Sequence, residues 1–562
     1  MKKLYFLVFV SFLFACRTDT NSVSVKEVRV QNAAVVTAHP LASEIGLQVI
    51  KDGGNAVDAA IAVQFALAVC FPRAGNIAGG GFAIYREADG TGYALDFREI
   101  APKAASENMY LDSLGNVIPE ASTRGALSVG VPGTIDGMDQ LFQRFSKLKD
   151  WNRLIQPAID LAEKGFYLTD MQEDDLAGVQ ESLKKVNKNE TPFTTNRKKG
   201  QKFVQKEFAE VLKAIRADQR YGFYTGWVAD KFIETMENNG GVITHLDLLH
   251  YRSVWRSPAE FYYRNHRILT MPLPSSAGVV LPQMFQMVSQ YNLPGGGFHS
   301  PTAIHLVAEV ERRVFADRAM HLGDPRYNRV PLYNLMHQEY LIDRMKDFSR
   351  DKATPSSEVR EGVFTDRESL ETTHFSIVDE SGNAISLTTT LNGAYGSHLV
   401  CEGSGYFLNN EMDDFSVKPG VPNLYGLVGG QANKIQGGKR MLSSMSPTIV
   451  DYPNKSLKMI VGSPGGSTIL TSVFQVITNV IDFKMDLNSA VQAPRFHHQW
   501  LPDQIIVEKD GFDKLTIQAL EEKGHSIREV NSIGRVEAIL IDEDGTIVGV
   551  ADKRKDDHAV GF

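Results

Sequence analysis

The stretch THFSIVDESGNAISLTTTL, residues 373–391, constrains the fold most strongly, because two β-branched runs flank a turn sequence and therefore predict a hairpin. A second hairpin pattern, SPTIVDYPNKSLKMIVGSPGG, follows at 446–466. Strand patterns predominate after Thr372, whereas the region from about 130 to 350 is mainly helical in pattern. This distribution predicts an α+β protein in which sheets stack on one another and helices flank them.

Three stretches before Thr372 have a clear local prediction. NAVDAAIAVQFALAVC, residues 55–70, is rich in alanine and predicts a buried helix. GFAIYREADGTGYALDFREIAP, residues 81–102, predicts a hairpin that leaves Arg98 near the end of its second strand. AIHLVAEVERRVFADRAMHLGD, residues 303–324, predicts an amphipathic helix that is stopped by Gly323 and Pro325.

The composition is that of a globular protein with a large core, at 562 residues, 43% hydrophobic and 22% charged. A net charge of −8 argues against a nucleic-acid partner and favours small molecules. No HExxH, paired CxxC or GxxxxGK[ST] motif is present, and the adjacent His497 and His498 are poorly placed to share a metal. NIAGGGF precedes a strand, so its glycines predict close backbone approach, and no cofactor or metal is expected.

The first sixteen residues have the layout of a secretory signal. Lys2 and Lys3 precede an apolar run from 4 to 15, and Cys16 follows. LFAC resembles a bacterial lipobox, in which the cysteine is lipidated, although Phe14 is bulkier than that pattern usually shows; the alternative is ordinary cleavage near Ala15. The chain is therefore expected in the periplasm or cell envelope, with membrane contact only through a lipid on Cys16.

Thr372 stands where a polar loop, residues 350–371, meets the first strand of the hairpin. A threonine at a chain terminus can act as a nucleophile because its own α-amine, with a pKa of about 7.7–8.0, can take the hydroxyl proton. A cut before Thr372 in an exposed loop would create such a terminus. Thr390, on the returning strand, could hydrogen-bond the nucleophile. The alternative is that these threonines only decorate an edge strand.

Four further motifs offer groups that suit an α-amino acid substrate, although each alone also fits a tight turn or a solvated loop. They are Gly465 and Gly466 as an oxyanion cradle, Glu411 and Asp414 as holders of an ammonium, Ser443 and Ser444 as hydrogen-bond donors, and Arg98 as a carboxylate clamp.

Together the motifs resemble those of the γ-glutamyltranspeptidases, which are N-terminal-nucleophile hydrolases. The similarity runs from about Ala38 to the C-terminus, through GGNAVDAAIA, GNIAGGGF, DFREIAP, ADRAMHLGDP, TTHFSIVD, NNEMDDFS, MLSSMSPTIV, GSPGGS and QAPRFHHQ. The resemblance implies an αββα sandwich of two stacked, mainly antiparallel sheets. It also implies self-cleavage between Glu371 and Thr372, giving a large subunit (17–371) and a small subunit (372–562) that stay together as a heterodimer.

The resemblance also implies a role for each site residue. Thr372 is the nucleophile, Thr390 assists it, and Gly465 and Gly466 form the oxyanion hole. The other residues bind substrate: Arg98, Ser443 and Ser444 its α-carboxylate, Asn392, Glu411 and Asp414 its α-amino group, and Tyr425 as the gate of a lid loop within PNLYGLVGGQANKIQGGK. Glutamate at 411 replaces the glutamine that some bacterial members carry and keeps its acceptor role.

The implied activity is that of a γ-glutamyltransferase and glutathione hydrolase, which passes the γ-glutamyl group to water or to amino acid and dipeptide acceptors. Two alternatives remain. A glutaryl β-lactam acylase of the same family needs no ammonium site, so Glu411 with Asp414 favours glutamyl substrates. An uncleaved binding protein for γ-glutamyl compounds would run as one full-length band on a denaturing gel, whereas the enzyme would give two.

Overall fold

The computed structural model describes residues 25–195, 200–359, 372–418, 420–424, 426–427 and 429–562. The predicted signal segment 1–16, Glu371 on the amino side of the predicted cleavage site, and Tyr425 lie outside these residues. Two large sheets lie face to face between layers of helices, so the predicted αββα arrangement is confirmed.

The strands of the described residues are, in chain order, β1 (Glu27–Val30), β2 (Ala34–Thr37), β3 (Gly80–Arg86), β4 (Gly92–Asp96), β5 (Phe166–Tyr167), β6 (Lys202–Phe203), β7 (Val254–Arg256), β8 (Ala259–Tyr263), β9 (His266–Thr270), β10 (Thr373–Val378), β11 (Ala384–Thr390), β12 (Thr448–Asp451), β13 (Leu457–Gly462), β14 (Phe496–His497), β15 (Ile505–Glu508), β16 (Ile527–Val530), β17 (Glu537–Ile541), β18 (Ile547–Ala551) and β19 (His558–Gly561).

The α-helices of the same residues are α1 (Pro40–Lys51), α2 (Ala56–Cys70), α3 (Thr134–Phe145), α4 (Trp151–Lys164), α5 (Asp170–Val186), α6 (Lys206–Asp218), α7 (Tyr221–Tyr224), α8 (Gly226–Asn238), α9 (His245–His250), α10 (Ala277–Ser289), α11 (Pro301–His321), α12 (Leu332–Met336), α13 (Gln338–Arg344), α14 (Thr468–Ile481), α15 (Leu487–Gln492) and α16 (Lys514–Glu522). Short 3₁₀ turns lie at Ala126–Ser128, Pro294–Gly296, Glu411–Asp414 and Gln431–Asn433.

Sheet I has the strand order β19-β2-β10-β11-β3-β4-β7, and sheet II has the order β1-β18-β17-β13-β12-β9-β8. Every neighbouring pair within these two sheets is antiparallel. The predicted hairpins are confirmed as β3–β4, β10–β11 and β12–β13. A small sheet, β14-β15-β16, contacts helices α11, α14 and α16.

The expectation that strands concentrate after Thr372 and helices before it is confirmed: ten of the nineteen strands of the described residues lie within 372–562, and thirteen of the sixteen α-helices precede Thr372. Sheet I interleaves β2, β3, β4 and β7 from before Thr372 with β10, β11 and β19 from after it, and sheet II is mixed in the same way. Local patterns did not predict this interleaving, because the pairing partners are far apart in sequence, as where β19 pairs with β2. Each sheet therefore joins both predicted subunits through backbone hydrogen bonds.

Alternation along the strands of sheet I separates two cores. Val35 and Phe375 face the core formed with α1 and α2 on the outer side of the sheet. Val36 and Phe82 face the other way, into the core shared with sheet II and with α10, α11 and α14. The layers are thus held together by apolar side chains on both faces of sheet I.

Helix α2 confirms the predicted buried helix. Asn55 caps it, since its side chain accepts a hydrogen bond from the Asp58 N–H while the Asp58 side chain accepts one from the Asn55 N–H. Every residue of α2 is buried, because the helix contacts α1, α4 and strands β10 and β11. Alanine suits this position because it lets the helix approach its neighbours closely.

The helix predicted over residues 303–324 is present as α11, but the prediction that it is amphipathic is wrong. Every residue from Ala303 to Arg318 is buried, the charged ones included. The charges are accommodated by pairing inside the protein: Arg313 bonds Glu309 at 2.7 Å, and Arg312 pairs with Asp503. The sequence pattern shows charges but not their partners, and it therefore wrongly placed one face of α11 in solvent.

The glycines of NIAGGGF allow strands β3 and β11 to approach, as predicted. A Cβ atom at Gly79 would lie 2.0 Å from the Thr390 carbonyl oxygen, and one at Gly81 would lie 2.3 Å from the Thr388 carbonyl oxygen. Both distances are far below van der Waals contact, so only glycine fits. These glycines set the end of β11, where Thr390 lies.

Cys70 and Cys401 are both buried free thiols. Of the helices in the described ranges, none combines the length and the apolar character needed to cross a bilayer.

Candidate active site

Thr372 immediately precedes β10, an interior strand of sheet I. Thr372 is 4% exposed, and its carbonyl oxygen accepts a hydrogen bond from Arg535 Nη2 at 3.3 Å. Strand β10 is paired on one side with β11 and on the other with β2. The main chain that carries Thr372 is therefore held on both sides.

His374, the third residue of the TTH motif, anchors the start of β10 between the two sheets. Its ring nitrogens bond the hydroxyl of Thr388 at 2.9 Å and that of Ser376 at 3.1 Å. Gly462 of sheet II leaves room for this ring, since a Cβ there would lie 2.3 Å from His374 Cε1. Burial lowers the pKa of His374 to about 3, so the ring is neutral and serves as a structural contact.

A small cavity of about 20 Å³ brings most of the predicted site residues together. Gly465 instead borders a second cavity, which Thr372 also lines. The small cavity is lined by Arg98, Thr372, Thr390, Asn392, Glu411, Asp414, Leu427, Ser443, Ser444, Met445, Gly466 and Ile469.

Arg98 occupies the centre of the charged part of this cavity. Its guanidinium donates to Glu411 and to Asp414, and it also reaches the carbonyl oxygen of Leu442 at 3.3 Å. In this structure Arg98 therefore joins the two carboxylates that the resemblance assigns to the substrate ammonium. Within the described part of the chain, no amide, guanidinium or hydroxyl group donates to Glu411 Oε2, so that oxygen is able to accept a ligand's hydrogen bond.

A third carboxyl group, that of Glu99, lies beside Arg98 at 3.8 Å from Nη1. Burial raises the pKa of Glu99 to about 7 and also raises the pKa values of Glu411 and Asp414, while the Arg98 charge opposes each shift. Sequence reasoning missed Glu99, although it directly follows Arg98 in DFREIAP. Three carboxyl groups around one guanidinium give the site spare capacity for a cation.

Arg318 is a second guanidinium at the site that sequence reasoning missed. It donates to Ser444 Oγ at 3.0 Å and to Ser276 Oγ at 3.2 Å. Burial lowers its pKa to about 10, which still leaves it cationic at neutral pH. Arg318 belongs to the motif ADRAMHLGDP, which could have indicated its role. It lies near the end of helix α11, from which it bonds Ser444.

Thr390 and Asn392 form the edge of the cavity at the end of β11. Thr390 Oγ1 accepts a hydrogen bond from the Asn392 N–H at 2.7 Å, and Asn392 Nδ2 donates to the Asn410 carbonyl at 3.0 Å. Asn392 has a left-handed backbone with φ of 71°, which turns the chain into the cavity. Thr390 and Thr372 line the cavity together without a direct hydrogen bond between these two described residues.

Gly465 and Gly466 form a sharp turn beside Thr372, just before helix α14. Their φ values are 132° and 56°, and a Cβ at Gly465 would lie 2.5 Å from Thr468 Oγ1. Position 465 therefore requires glycine, because its φ value disfavours other residues and because a Cβ atom would clash with Thr468. The turn also places the first residues of α14, with their positive dipole end, near Thr372, which suits the stabilisation of negative charge.

Parts of the lid-like stretch 422–439 contact the acidic motif. Asn423 Nδ2 donates to Asp414 Oδ1 at 3.1 Å, and the Leu424 N–H donates to Asp413 Oδ2 at 2.7 Å. Leu427 lines the small cavity directly. These three described residues of the stretch therefore lie against the charged groups.

His305, Glu309 and His525 are the described residues whose ligand atoms lie close enough to consider for a metal. His305 Nδ1 and His525 Nε2 bond each other at 2.7 Å, and Glu309 pairs with Arg312 and Arg313. These ligand atoms are already engaged in hydrogen bonds and ion pairs within the protein, and the positive charges of the two neighbouring guanidinium groups disfavour a bound cation. The buried His497 and His498 bond separate partners, Thr471 and Trp500, as separately packed residues would.

Two antiparallel sheets between helical layers, with a buried threonine directly before an interior strand, define the architecture of an N-terminal-nucleophile hydrolase. Comparison with known proteins agrees. The family model described as gamma-glutamyltranspeptidase matches residues 42–562, and the chain belongs to this family of enzymes. The resemblance drawn from the motifs is thereby confirmed.

Individual relatives cover nearly the whole chain. The glutathione hydrolase proenzyme of Escherichia coli (strain K12) is 41% identical over 540 residues, 95% of this chain and 93% of the relative. The crystal structure of Helicobacter pylori gamma-glutamyltranspeptidase is 40% identical with a TM-score of 0.55, over 59% of this chain and 96% of that one. Cephalosporin acylase from Bacillus halodurans has a TM-score of 0.83 over 98% and 99% of the two chains, and at 24% identity it shows the fold alone.

We predict that replacing Glu99 with glutamine removes a pH-dependent cost to stability. A carboxyl group whose pKa is raised on folding binds more protons in the folded state than in the unfolded state. The free energy of unfolding therefore falls as the pH rises from the pKa of the unfolded state, about 4.3, through the pKa of the folded state, about 7. The melting temperature of Glu99→Gln minus that of the parent should therefore increase between pH 4.5 and pH 8.

Differential scanning fluorimetry at several pH values measures this difference. Glu237→Gln, at an exposed position of α8, is the control and should show no such trend. A difference for Glu99→Gln that stays constant or falls with pH would contradict the assignment.

Proposed function

We propose that the protein is a γ-glutamyltransferase and glutathione hydrolase whose nucleophile is Thr372. The observation that carries this proposal is the small cavity, where Thr372 meets Arg98, Glu411 and Asp414. A nucleophile that shares a cavity with one guanidinium and several carboxyl groups suits a substrate with one carboxylate and one ammonium group. The relatives named glutathione hydrolase proenzyme support glutathione as the γ-glutamyl donor.

Maturation is proposed to be self-cleavage between Glu371 and Thr372, which yields a large subunit of residues 17–371 and a small subunit of residues 372–562. Strand β10 begins directly after Thr372, so the cut would fall outside the sheet hydrogen bonds. Strands from both subunits alternate in sheets I and II. The two subunits are therefore expected to stay associated as a heterodimer.

The chemistry follows from the new terminus. The α-amine of Thr372 takes the hydroxyl proton, and Oγ1 attacks the γ-carbonyl carbon of the donor. Amides of Gly465 and Gly466 are proposed to stabilise the oxyanion, and Thr390 to orient the hydroxyl. The C–N bond then breaks, cysteinylglycine leaves with the proton on its amine, and water or an acceptor amine releases the γ-glutamyl group from the ester.

Recognition of the glutamyl end is proposed to be an exchange of ion pairs. The substrate α-carboxylate would bind Arg98 with Ser443 and Ser444, while the α-ammonium would bind Glu411, Asp414 and Asn392. Because the substrate brings one charge of each sign, the buried groups that now pair with each other remain compensated when it binds.

A glutaryl acylase is the second candidate, and the charges of the site argue against it. A glutaryl group carries no ammonium, so Glu411 and Asp414 would gain no cationic partner from it. Glu99 adds a third carboxyl group to the same place. The site therefore suits glutamyl donors better than glutaryl donors.

Export and lid gating are further proposals. Residues 1–16 place two lysines before an apolar run that ends at Cys16. This layout supports export to the periplasm or cell envelope, with lipidation at Cys16. Tyr425 is proposed as the gate of the lid, and the contacts of its neighbours Asn423 and Leu424 with the acidic motif support this role.

Thr372→Ala should leave the precursor whole, because it removes the hydroxyl that attacks. Thr372→Ser keeps a hydroxyl and should still mature. Denaturing gels and N-terminal sequencing measure both. A Thr372→Ala protein that still yields a small chain beginning at position 372 would show the assignment to be wrong.

Arg98→Lys should lower kcat/KM for glutathione by about 30-fold or more, because lysine cannot make two parallel bonds to a carboxylate and a lost buried charge partner costs about 2–5 kcal/mol. Asp414→Asn should weaken glutamyl donors similarly but spare glutaryl ones. Arg267→Lys is the control, since Arg267 also contacts two carboxylates but lies outside the cavity.

Maturation of each variant, seen as two bands, shows that it has folded. The site assignment would fail if Arg98→Lys and Asp414→Asn both matured and hydrolysed glutathione within a few-fold of the parent.

Cys16→Ser should move the activity from the membrane fraction to the soluble periplasmic fraction, because a serine cannot carry the thioether-linked lipid. Cell fractionation with an activity assay measures the shift, and Ser11→Ala in the same segment serves as control. An unchanged distribution would remove lipidation from the proposal.

A further inference from the structure

A second and larger cavity, of about 390 Å³, also borders Thr372. Thr372 and Gly465 form part of its wall, and Thr372 is also part of the small cavity. The reactive hydroxyl therefore stands between two spaces. The small cavity accounts for the glutamyl end of a donor, and nothing so far accounts for the large one.

The large cavity is rich in positive charge. Its wall carries four basic side chains, Arg73, Arg528, Arg535 and Lys555, against two acidic ones, Asp175 and Asp556. The positive charges outnumber the negative ones, so the cavity favours an anion.

Most of these charges are engaged within the protein. Arg73 bonds Asp175 at 2.8 Å, and Lys555 lies 4.0 Å from the same carboxylate. Arg535 donates to the Thr372 carbonyl and lies 3.6 Å from Asp557.

Arg528 differs from the other three basic residues. It is half-buried on β16 of the small sheet, and among the described residues its guanidinium forms no ion pair. A guanidinium with five donors suits a carboxylate. Arg528 is therefore the group in this cavity best able to take an anionic ligand.

The reaction requires a space for the other half of the donor. A γ-glutamyl amide extends in two directions from the carbonyl that Thr372 attacks, and the small cavity, at about 20 Å³, has no room for both halves. In glutathione the second half is cysteinylglycine, which ends in a carboxylate. Acceptor dipeptides end in the same group and must reach the same carbonyl from the same side.

We propose that the large cavity binds the leaving group and the peptide acceptor by their terminal carboxylate, with Arg528 as the cationic contact. This inference rests on the proposed γ-glutamyl transfer at Thr372. In the forward step the amide C–N bond breaks and the leaving amine takes the proton from the Thr372 α-ammonium. In transfer, an acceptor amine held in the same cavity attacks the ester carbonyl carbon and gives up a proton to the α-amine. The bond from this carbon to Thr372 Oγ1 breaks as the new amide forms, and Oγ1 takes the proton back from the α-ammonium.

The experiment compares glutathione with its glycine amide, in which the terminal carboxylate is replaced by a neutral group. We expect the parent enzyme to prefer glutathione by about tenfold or more in kcat/KM, as a charge-assisted hydrogen bond would give. Arg528→Gln should bring this ratio close to one. Arg528→Lys should keep most of the preference because it keeps the charge.

Lys509→Gln is the matched control. Lys509 follows β15 of the same small sheet and is exposed outside the cavity, so its replacement removes one positive charge nearby and should leave the ratio as in the parent. Two outcomes would overturn the inference: a parent that shows no preference for the carboxylate, which needs no variant to measure, or a matured Arg528→Gln that keeps the parent's ratio.

A γ-glutamyl anilide separates this inference from the proposed function. Its leaving group is uncharged and needs no carboxylate contact. If the parent releases no aniline, the proposed γ-glutamyl transfer itself fails. If the parent releases aniline but the ratio of glutathione to its amide does not depend on Arg528, only the assignment of the large cavity fails.

Discussion

The buried guanidinium of Arg98 holds the candidate site together, because it compensates the carboxyl groups of Glu411 and Asp414 and lies next to Glu99. Loss of one partner from such a group costs about 3–5 kcal/mol, since a buried charge is then left without compensation. Arg98 precedes Thr372 in the chain, whereas Glu411 and Asp414 follow it. The binding groups therefore form one site only while the two proposed subunits remain associated.

The sheets provide that association and also fix the position of Thr372, the proposed nucleophile. Strand β10 is bonded to β2 from the large half and to β11 from the small half. His374, neutral and bonded to two hydroxyl groups of sheet I, packs with its ring against Gly462 of sheet II. Thr372 can thus stand at a chain terminus between two cavities, one with paired charges for the glutamyl end and one with an excess of positive charge.

Local sequence patterns were sufficient for the hairpins and for helix α2, since turn residues specify the former and an apolar run interrupted only by Asp58 and Gln64 specifies the latter. The motifs also predicted most of the small cavity, where Arg98, Glu411 and Asp414 do meet. Helix α11 was misjudged because burial of its charges depends on partners that are distant in sequence. Glu99 and Arg318 were missed for the same reason: a charged residue shows its role only when the groups around it are known.

The central claim is that Thr372 carries the γ-glutamyl group during the reaction. Rapid quenching of the matured enzyme with glutathione, followed by digestion and mass spectrometry, tests it most directly. The account predicts a γ-glutamyl ester on the peptide that begins at Thr372, which disappears when an acceptor dipeptide is added. A γ-glutamyl adduct on any other residue, with none on Thr372, would contradict it.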